Sequence, residues 1–420
     1  MRLGASFGGL WRDREFLTFW SAQTVSEFGD RISELALPLI AVTMLNATPT
    51  EVGLLTAAVW LPNIASLFIG SWVDQRTDKR RLMIAADLAR TLILLTLPIA
   101  YWLGALTLPH LYAVAILAGA AHVVFNTSYA SFFVRLVARE NYLEANSKLS
   151  TTRSLSQMGG PALAGVLIQW LSAPAAIIVD ALSFVFSGIQ ISRLKTEPAP
   201  VENTGESVLQ RARSGMRYLL RHPYLRASLG CATTINFFGF IGAALVVLFA
   251  SRDLMLSPGI IGLALGVGAS GGVLGATLAT RLSKWIGVGP LVAIASVVLS
   301  SANVILAFDD GSQLMRAIIF GAAEFVFAFA VMCFDIPLGA VQASVTEQGM
   351  RSRVSGAFLS INFGVRPIGA VLGGLLGSWL GARETLLIAG IGGMLSVLWL
   401  IGSPILRTRS IEGLLPPERD

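Results

Sequence analysis

The sequence predicts an all-α integral membrane protein with twelve transmembrane helices in two pseudo-symmetric six-helix halves. Three observations predict it. Of 420 residues, 54% are hydrophobic and only 13% charged, with a mean hydropathy of +0.69. A soluble domain carries about 25% charge, so most of this surface faces something other than water. Twelve apolar stretches are near or above the about 20 residues a bilayer core requires. Finally, landmarks recur half a chain apart. Gly70-Ser-Trp-Val-Asp74-Gln-Arg76 is echoed 205 positions later by Gly275-Ala-Thr-Leu-Ala279-Thr-Arg281, and Pro161 is answered by Pro367 at nearly the same offset. In a membrane protein, internal repeats point to a transporter with its site between the halves.

The stretches run over 16–45, 51–73, 82–103, 108–134, 145–171 and 173–191, then 225–251, 259–280, 289–308, 314–340, 354–380 and 384–406. Three units follow: an N-terminal half (1–191), a linker (192–222) and a C-terminal half (223–420). The loops test the map. One set holds Arg76, Lys79, Arg80, Arg81, Arg135, Arg139, Arg193, Lys195, Arg211, Arg213, Arg217, Arg221, Arg281, Lys284, Arg351 and Arg353. The alternate set holds almost only Arg252, Arg316 and Arg383. This asymmetry puts both termini and the linker in the cytoplasm, which an even number of spans satisfies. Arg12-Asp-Arg14 reads as a cytoplasmic start and not a signal peptide.

The linker opens with a Pro-, Glu- and Ser-rich run, 196–207, expected to be flexible. An amphipathic helix over 207–221 follows. Its Val208, Leu209, Met216, Leu219 and Leu220 either lie on the bilayer surface or make a solvated connector. The net charge of +6 sits in short loops beside apolar stretches, so it does not signal nucleic acid. Cys231 and Cys333, both in apolar stretches, form no disulfide framework or metal spacing.

Gly70-x-x-x-Asp74, with Arg76 and the basic run Lys79-Arg80-Arg81, resembles the signature loop of the major facilitator superfamily. It departs in that Gln75 stands between Asp74 and the Arg. Phe19-Trp-Ser-Ala-Gln-Thr-Val-Ser-Glu-Phe-Gly-Asp30, Asp180-Ala-Leu-Ser-Phe184 and Arg217-Tyr-Leu-Leu-Arg-His-Pro223 resemble the bacterial branch with macrolide-efflux and enterobactin-exporter proteins. Gly159-Gly160-Pro161-Ala-Leu-Ala-Gly165 is similar to part of a motif of drug:proton antiporters, without its upstream glycines. The resemblance covers nearly the whole chain. It implies the major facilitator fold, export, and a conformational latch built from Gly70, Asp74, Arg76, Arg80 and Arg135. Physically, a Gly at 70 admits a neighbouring helix, and Asp74 caps that helix or pairs with Arg76 or Arg135. The plainer alternative is a turn-capping Asp74 and a basic run that only sets topology.

Ionisable groups at bilayer depth cost about 2.5–3.5 kcal/mol each and default to functional hypotheses. Asp30 and Glu34 are four apart and share a helix face. Repulsion and desolvation favour the protonated form, which suits proton coupling, unless Arg31 or another base neutralises them. Glu324 is a further coupling candidate. Arg366 in mid-span requires an acidic partner or a water-filled cavity, and a pair with Glu324 or Asp335 is expected. Asp180 reads as structural, Arg153 as snorkelling or paired, and His122 as a hydrogen-bonded core residue. Trp20, Trp60, Phe125, Tyr129, Phe237, Phe238 and Phe240 are candidates to line an apolar cavity.

No stretch matches G-x-x-x-x-G-K-[ST], and no catalytic cluster is present, which disfavours ATP-driven transport and enzymatic chemistry. The expectation is a secondary transporter in a bacterial inner membrane. It exports an amphiphilic small molecule (a drug, macrolide or siderophore) by proton antiport with alternating access, or translocates a lipid or lysophospholipid. Its partners are the small-molecule substrate, protons and membrane lipids. It is expected to be a monomer, with no cofactor, metal or nucleic acid.

Overall fold

The computed structural model of the chain describes residues 9–194, 208–308, 311–411 and 414. Those residues are almost all helical. In order the helices are α1 (Arg14–Leu39), α2 (Pro49–Trp60), α3 (Ser66–Asp74), α4 (Lys79–Trp102), α5 (Leu108–Leu136), α6 (Tyr142–Leu171) and α7 (Ala173–Arg193). After them come α8 (Val208–Arg221), α9 (Pro223–Leu248), α10 (Pro258–Ile286), α11 (Val288–Ala307), α12 (Gln313–Val345), α13 (Arg351–Leu380), α14 (Ala382–Met394) and α15 (Pro404–Arg407). Among the described residues, nine segments are long and apolar enough to cross a membrane. Three more helical runs pack among them without meeting that test. One is 14–44, which carries Glu27, Asp30, Arg31 and Glu34. The second is 49–74, broken by a 3-10 turn over Leu61–Ala65, where Pro62 removes a helical donor. The third is 142–171, which is polar through its first half.

The element bounds correct the repeat register. Most matched elements are displaced by 209 positions, not 205 or 206. The exception is the turn between α4 and α5: α4 is four residues longer than α11, so α5 and α12 start 205 apart and end 209 apart. Arg14 and Pro223 start the first helices, and π-helical turns follow at Ile40–Met44 and Phe249–Asp253. Pro49 and Pro258 open the second helices, and α6 and α13 each follow a short 3-10 turn. Gly70 therefore answers Ala279, and Pro161 answers Ala370. The caps carry this register. Thr48 and Ser257 each accept from a backbone amide three residues on, and each precedes a Pro in the first turn, where its missing N–H costs nothing. The Gly70 and Gly275 echo shared only a Gly and an Arg, too little to fix a register.

Apolar clusters show how the two groups of helices meet. One core joins Leu35, Leu39, Ile40 and Ile177 to Leu245, Leu248, Phe249 and Ile261, across both groups. These residues lie at the end away from the basic loops. Toward the basic end the cores separate. Phe16, Phe19, Met83, Phe132 and Ile191 form one; Cys231, Leu291, Val292, Phe334 and Ile405 form another. The two groups thus share one core at the far end and keep separate cores toward the basic end, where α3 still touches α8 and α13.

Glycines join the groups at the far end. A methyl on Gly53 would lie 2.7 Å from Gly374 Cα, and one on Gly165 would lie 2.9 Å from Gly262 Cα. The 209-position shift maps one crossing onto the other. Membrane helices gain their packing from such close approaches, because lipid supplies no hydrophobic drive between them. Hydrogen bonds reinforce this end. Arg252 donates to Val42 O at 2.8 Å, Thr50 N to Ser378 Oγ at 3.0 Å, and Gly259 N to Gln169 Oε1 at 3.0 Å.

The amphipathic linker helix corrects the bilayer-surface reading. Leu219 of α8 is fully buried against Leu225, Leu229, Val354 and Ala357, with Met216 beside it. Gly215 sits against the backbone of Arg353, where a methyl would meet the carbonyl at 2.3 Å. Leu220 remains exposed. The side chains of Val208 and Leu209, and the run 196–207, lie outside the described residues.

Candidate functional site

A cavity of about 520 Å³ opens among α9, α11, α12, α13 and α14. Phe240, Phe327, Phe334, Phe358 and Phe363 supply its apolar wall. Asn236, Ser300, Asn303, Gln342, Asn362, Asp335 and Arg366 supply its polar groups. This mixture of aromatic surface and sparse polar atoms is what drug-sized ligands require.

Arg366 organises this wall. Its Nε donates to Asn236 Oδ1 at 2.9 Å, and Asn236 Nδ2 donates to Asn362 Oδ1 at 3.1 Å. Its guanidinium lies 4.3 Å from the Trp60 ring, 4.4 Å from Phe363 and 5.0 Å from Phe240. Of the expected intramembrane partners, neither Asp335 nor Glu324 bonds Arg366 directly, but the charges of Arg366 and Asp335 act on each other across the cavity they share. An amide and three aromatic faces also stabilise the cation. Asp335 is exposed to the same cavity. Glu324 stands elsewhere, on the α10-facing side of α12, with its Cβ against Gly268.

The aromatic candidates divide. Trp60 crosses from α2 to pack edge-on to Phe240, with ring centroids 5.2 Å apart. Phe237 and Phe238 do not line the cavity: Phe238 lies over Gly392 of α14, and Phe237 packs its backbone on Gly369. Trp20, Phe125 and Tyr129 belong to the other group of helices. Trp20 Nε1 donates to Thr152 Oγ1 at 2.9 Å, Phe125 is buried, and Tyr129 stacks on Phe19. Hydrophobic periodicity marks an inward face but does not say which part of that face is hollow.

The first helix answers the coupling expectation with ion pairs. Arg31 bridges to Glu34 at 2.7 Å and to Glu27 at 3.7 Å. Arg153 of α6 reaches Glu27 at 3.3 Å. Asp30 pairs with Arg90 of α4, whose guanidinium stacks 3.7 Å from the Phe184 ring. Sequence reasoning missed Arg90 and Asp87. Their signal was present, an acid and a base three apart inside an apolar 24-residue helix. Asp180 is fully buried, accepting from Ser33 and from Ser183 Oγ. His122 bonds Asn126 at 2.7 Å, as a core histidine would.

The motif residues have mixed fates. A methyl on Gly70 would meet only Thr127 Cγ2 at an ordinary 3.7 Å, so no neighbour uses this glycine for close approach. Arg76 lies over Trp72 at 4.9 Å, and Arg80 donates to the Leu194 carbonyl. Arg135 ends α5; the Asp74 side chain lies outside the described residues. In the antiporter-like run, Gly160 seats the Arg31 stem and Gly165 makes the crossing to Gly262. The Pro161 carbonyl backs onto Gly262.

The family model described as transmembrane secretion effector matches residues 6–413. The uncharacterized MFS-type transporter YfiS of Bacillus subtilis is 24% identical over 94% of each chain. The multidrug efflux pump Tap of Mycolicibacterium fortuitum is 24% identical over 86% of this chain and 88% of its own. Among solved structures, a bacterial homologue of the human lysosomal transporter Spinster superposes with a TM-score of 0.73 at 13% identity. It covers 98% of this chain and 100% of that one. A bacterial homologue of the iron transporter ferroportin superposes at 0.72 with 14% identity, covering 94% and 99%.

Proposed function

The chain belongs to the transmembrane secretion effector family of membrane transporters, and on that premise we propose that it is a twelve-span, proton-driven exporter of amphiphilic small molecules. The core shared at the far end and the separate cores toward the basic end carry the reading. A cleft of this form is one of the two states that alternating access requires, and the aromatic cavity opens beside it. The basic end lies in the cytoplasm, so this state admits substrate from inside. The likeness to Tap supports export, and the Spinster homologue, inward-facing by its description, shares the fold. Amphiphilic compounds such as macrolide-type drugs and siderophores suit the aromatic wall of the cavity and its few polar atoms. The basic loop around Arg76 and Arg80 acts as the latch between states.

The test is uptake into everted membrane vesicles with a panel of macrolides, siderophores and lysophospholipids, with and without an imposed pH gradient. Gradient-dependent accumulation of a drug or siderophore is expected. Accumulation of lysophospholipid alone would make the protein a lipid translocator, and accumulation indifferent to the gradient would remove the proton.

A further inference from the structure

Two buried carboxyls and one partly exposed carboxyl surround one buried guanidinium between α1, α4 and α7. Arg90 has 8% of its side chain exposed and Asp30 22%. Asp87 is 1% exposed and Asp180 fully buried. Arg90 pairs with Asp30, so one carboxylate is compensated. Asp180 accepts from Ser33 and Ser183, and Asp87 has no bonded partner on either oxygen. Ser187 Oγ faces Asp87 from α7 as a neutral donor, short of full hydrogen-bond geometry. The remaining groups facing the cluster are Glu27, Arg31 and Glu34 farther along α1, already paired among themselves and with Arg153, and His122 of α5, bonded to Asn126. Among the described residues, no cation other than Arg90 is directed at Asp87 or Asp180.

A dehydrated carboxylate without a counter-charge takes up a proton. We propose that Asp87 and Asp180 are two separate buried proton-binding carboxyls flanking Arg90, and that Arg90 reports the occupancy of Asp87 by exchanging between Asp30 and Asp87. This rests on the proton-driven reading above and names residues for it. Arg90 is equipped for the exchange: its Nε is buried with no acceptor, and Asp87 lies three residues before it on the same helix. With a proton on Asp87, Arg90 reaches across to Asp30 and ties α1 to α4. When that proton leaves, the new carboxylate draws Arg90 onto its own helix. Asp30, the member that water reaches, is then hydrated and the tie between helices is released. The proton passes out through Asp30 to the water of the cleft, and the same steps reversed recharge Asp87.

Two substrate-free measurements on purified protein in nanodiscs test this. Infrared difference spectra recorded across a pH titration should show the C=O stretch of protonated carboxylic acid disappearing as pH rises. Asp87→Asn and Asp180→Asn should each remove a component of it, and Asp30→Asn none. Both variants copy the protonated shape, so wild-type thermal stability at neutral pH is expected. An unchanged band in both, or a loss of stability in either, would overturn the two sites. For the exchange, spin labels at Val25 of α1 and Leu88 of α4 should separate as pH rises in wild type but not in Asp87→Asn. Equal movement in both would remove Arg90 as the reporter. Neither readout needs a transported compound, so failure of the export reading would leave this site standing. Proton-driven export with no such band would move the coupling elsewhere, to Glu324 first.

Discussion

Gly165 of α6 and Gly262 of α10 cross so closely that a methyl on Gly262 would lie 2.8 Å from Gly165 Cα and 2.3 Å from the Pro161 carbonyl. Gly53 and Gly374 repeat the crossing on the opposite side of the bundle, where the Ala370 carbonyl stands in for that of Pro161. These two crossings are hinge and seal together. Rocking must occur about them, and opening the other end must loosen them. Gly262→Leu and Gly53→Leu should therefore wedge this end apart, lower stability by about 1–3 kcal/mol and abolish vesicle transport. Gly70→Ala is the matched control, with only a methyl contact to meet, and should change neither. Thermal unfolding and transport rates check both halves of the claim; a fully active Gly262→Leu protein would end it.

The Arg366 cage makes an unusual ordering of stabilities. Asn236 holds the guanidinium Nε, so Asn236→Leu removes a charge-assisted hydrogen bond and should cost about 1.5–3 kcal/mol. Asp335 is not bonded to Arg366, so Asp335→Asn should cost under about 0.5 kcal/mol. The same change should still impair substrate binding, because Asp335 faces the cavity. If thermal unfolding reverses the order, Asp335 and not Asn236 is the resting partner.

The helices were legible because bilayer depth forces about 20 apolar residues into each span, and loop charges then orient them. The repeat was legible in kind but not in register. Single glycines are frequent in this chain, whereas Thr48-Pro49 and Ser257-Pro258 mark helix starts that cannot slide. Arg90 and Asp87 were hidden by the apolar run around them. The cage around Arg366 was not readable at all, since Trp60, Asn236 and Phe240 come from two separate helices and converge only in the packed bundle. Of the neighbouring candidates Phe237, Phe238 and Phe240, Phe240 alone lines the cavity for the same reason: neighbours on one helix turn face different things.

The polar tie between first and fifth helix occurs once in each group, in two chemistries. Glu27 and Arg153 meet at 3.3 Å, and the positions 209 residues on, Asn236 and Asn362, meet at 3.1 Å. The double change Glu27→Asn with Arg153→Asn transplants one tie onto the other. The Arg153 side chain is 53% exposed, so solvent screens the ion pair and stability should shift by about 1 kcal/mol or less. Export should be retained if the tie is structural. Lost gradient-driven transport at unchanged stability would show that this particular charge pair belongs to coupling.

Topology has a direct check. Cys231 and Cys333 are buried, so introduced thiols are read against a silent background. Thr77→Cys, in the basic loop before α4, should react with an impermeant maleimide only in everted or permeabilised membranes. Ala105→Cys, exposed between α4 and α5, should react in intact cells. The reverse pattern would invert the direction of transport as well as the map.

Trp60 is the contact most exposed to the proposed motion. It belongs to α2, yet its ring lies 4.3 Å from the Arg366 guanidinium of α13, so it joins the two groups of helices beside the cavity. A desolvated cation–π contact is worth about 2 kcal/mol, and about 1.4 kcal/mol is a tenfold change in an equilibrium. If the contact exists only in the state open at the basic end, Trp60→Leu should shift the balance toward the opposite state by roughly tenfold. Spin labels at Gln75 and Glu347, exposed beside the basic end just after α3 and before α13, should then report a larger short-distance population. Trp60→Phe keeps a ring, though a weaker cation partner, and should fall between. A distance distribution identical to wild type in Trp60→Leu would mean that the contact persists through the cycle, and Trp60 would then be a fixed wall of the cavity.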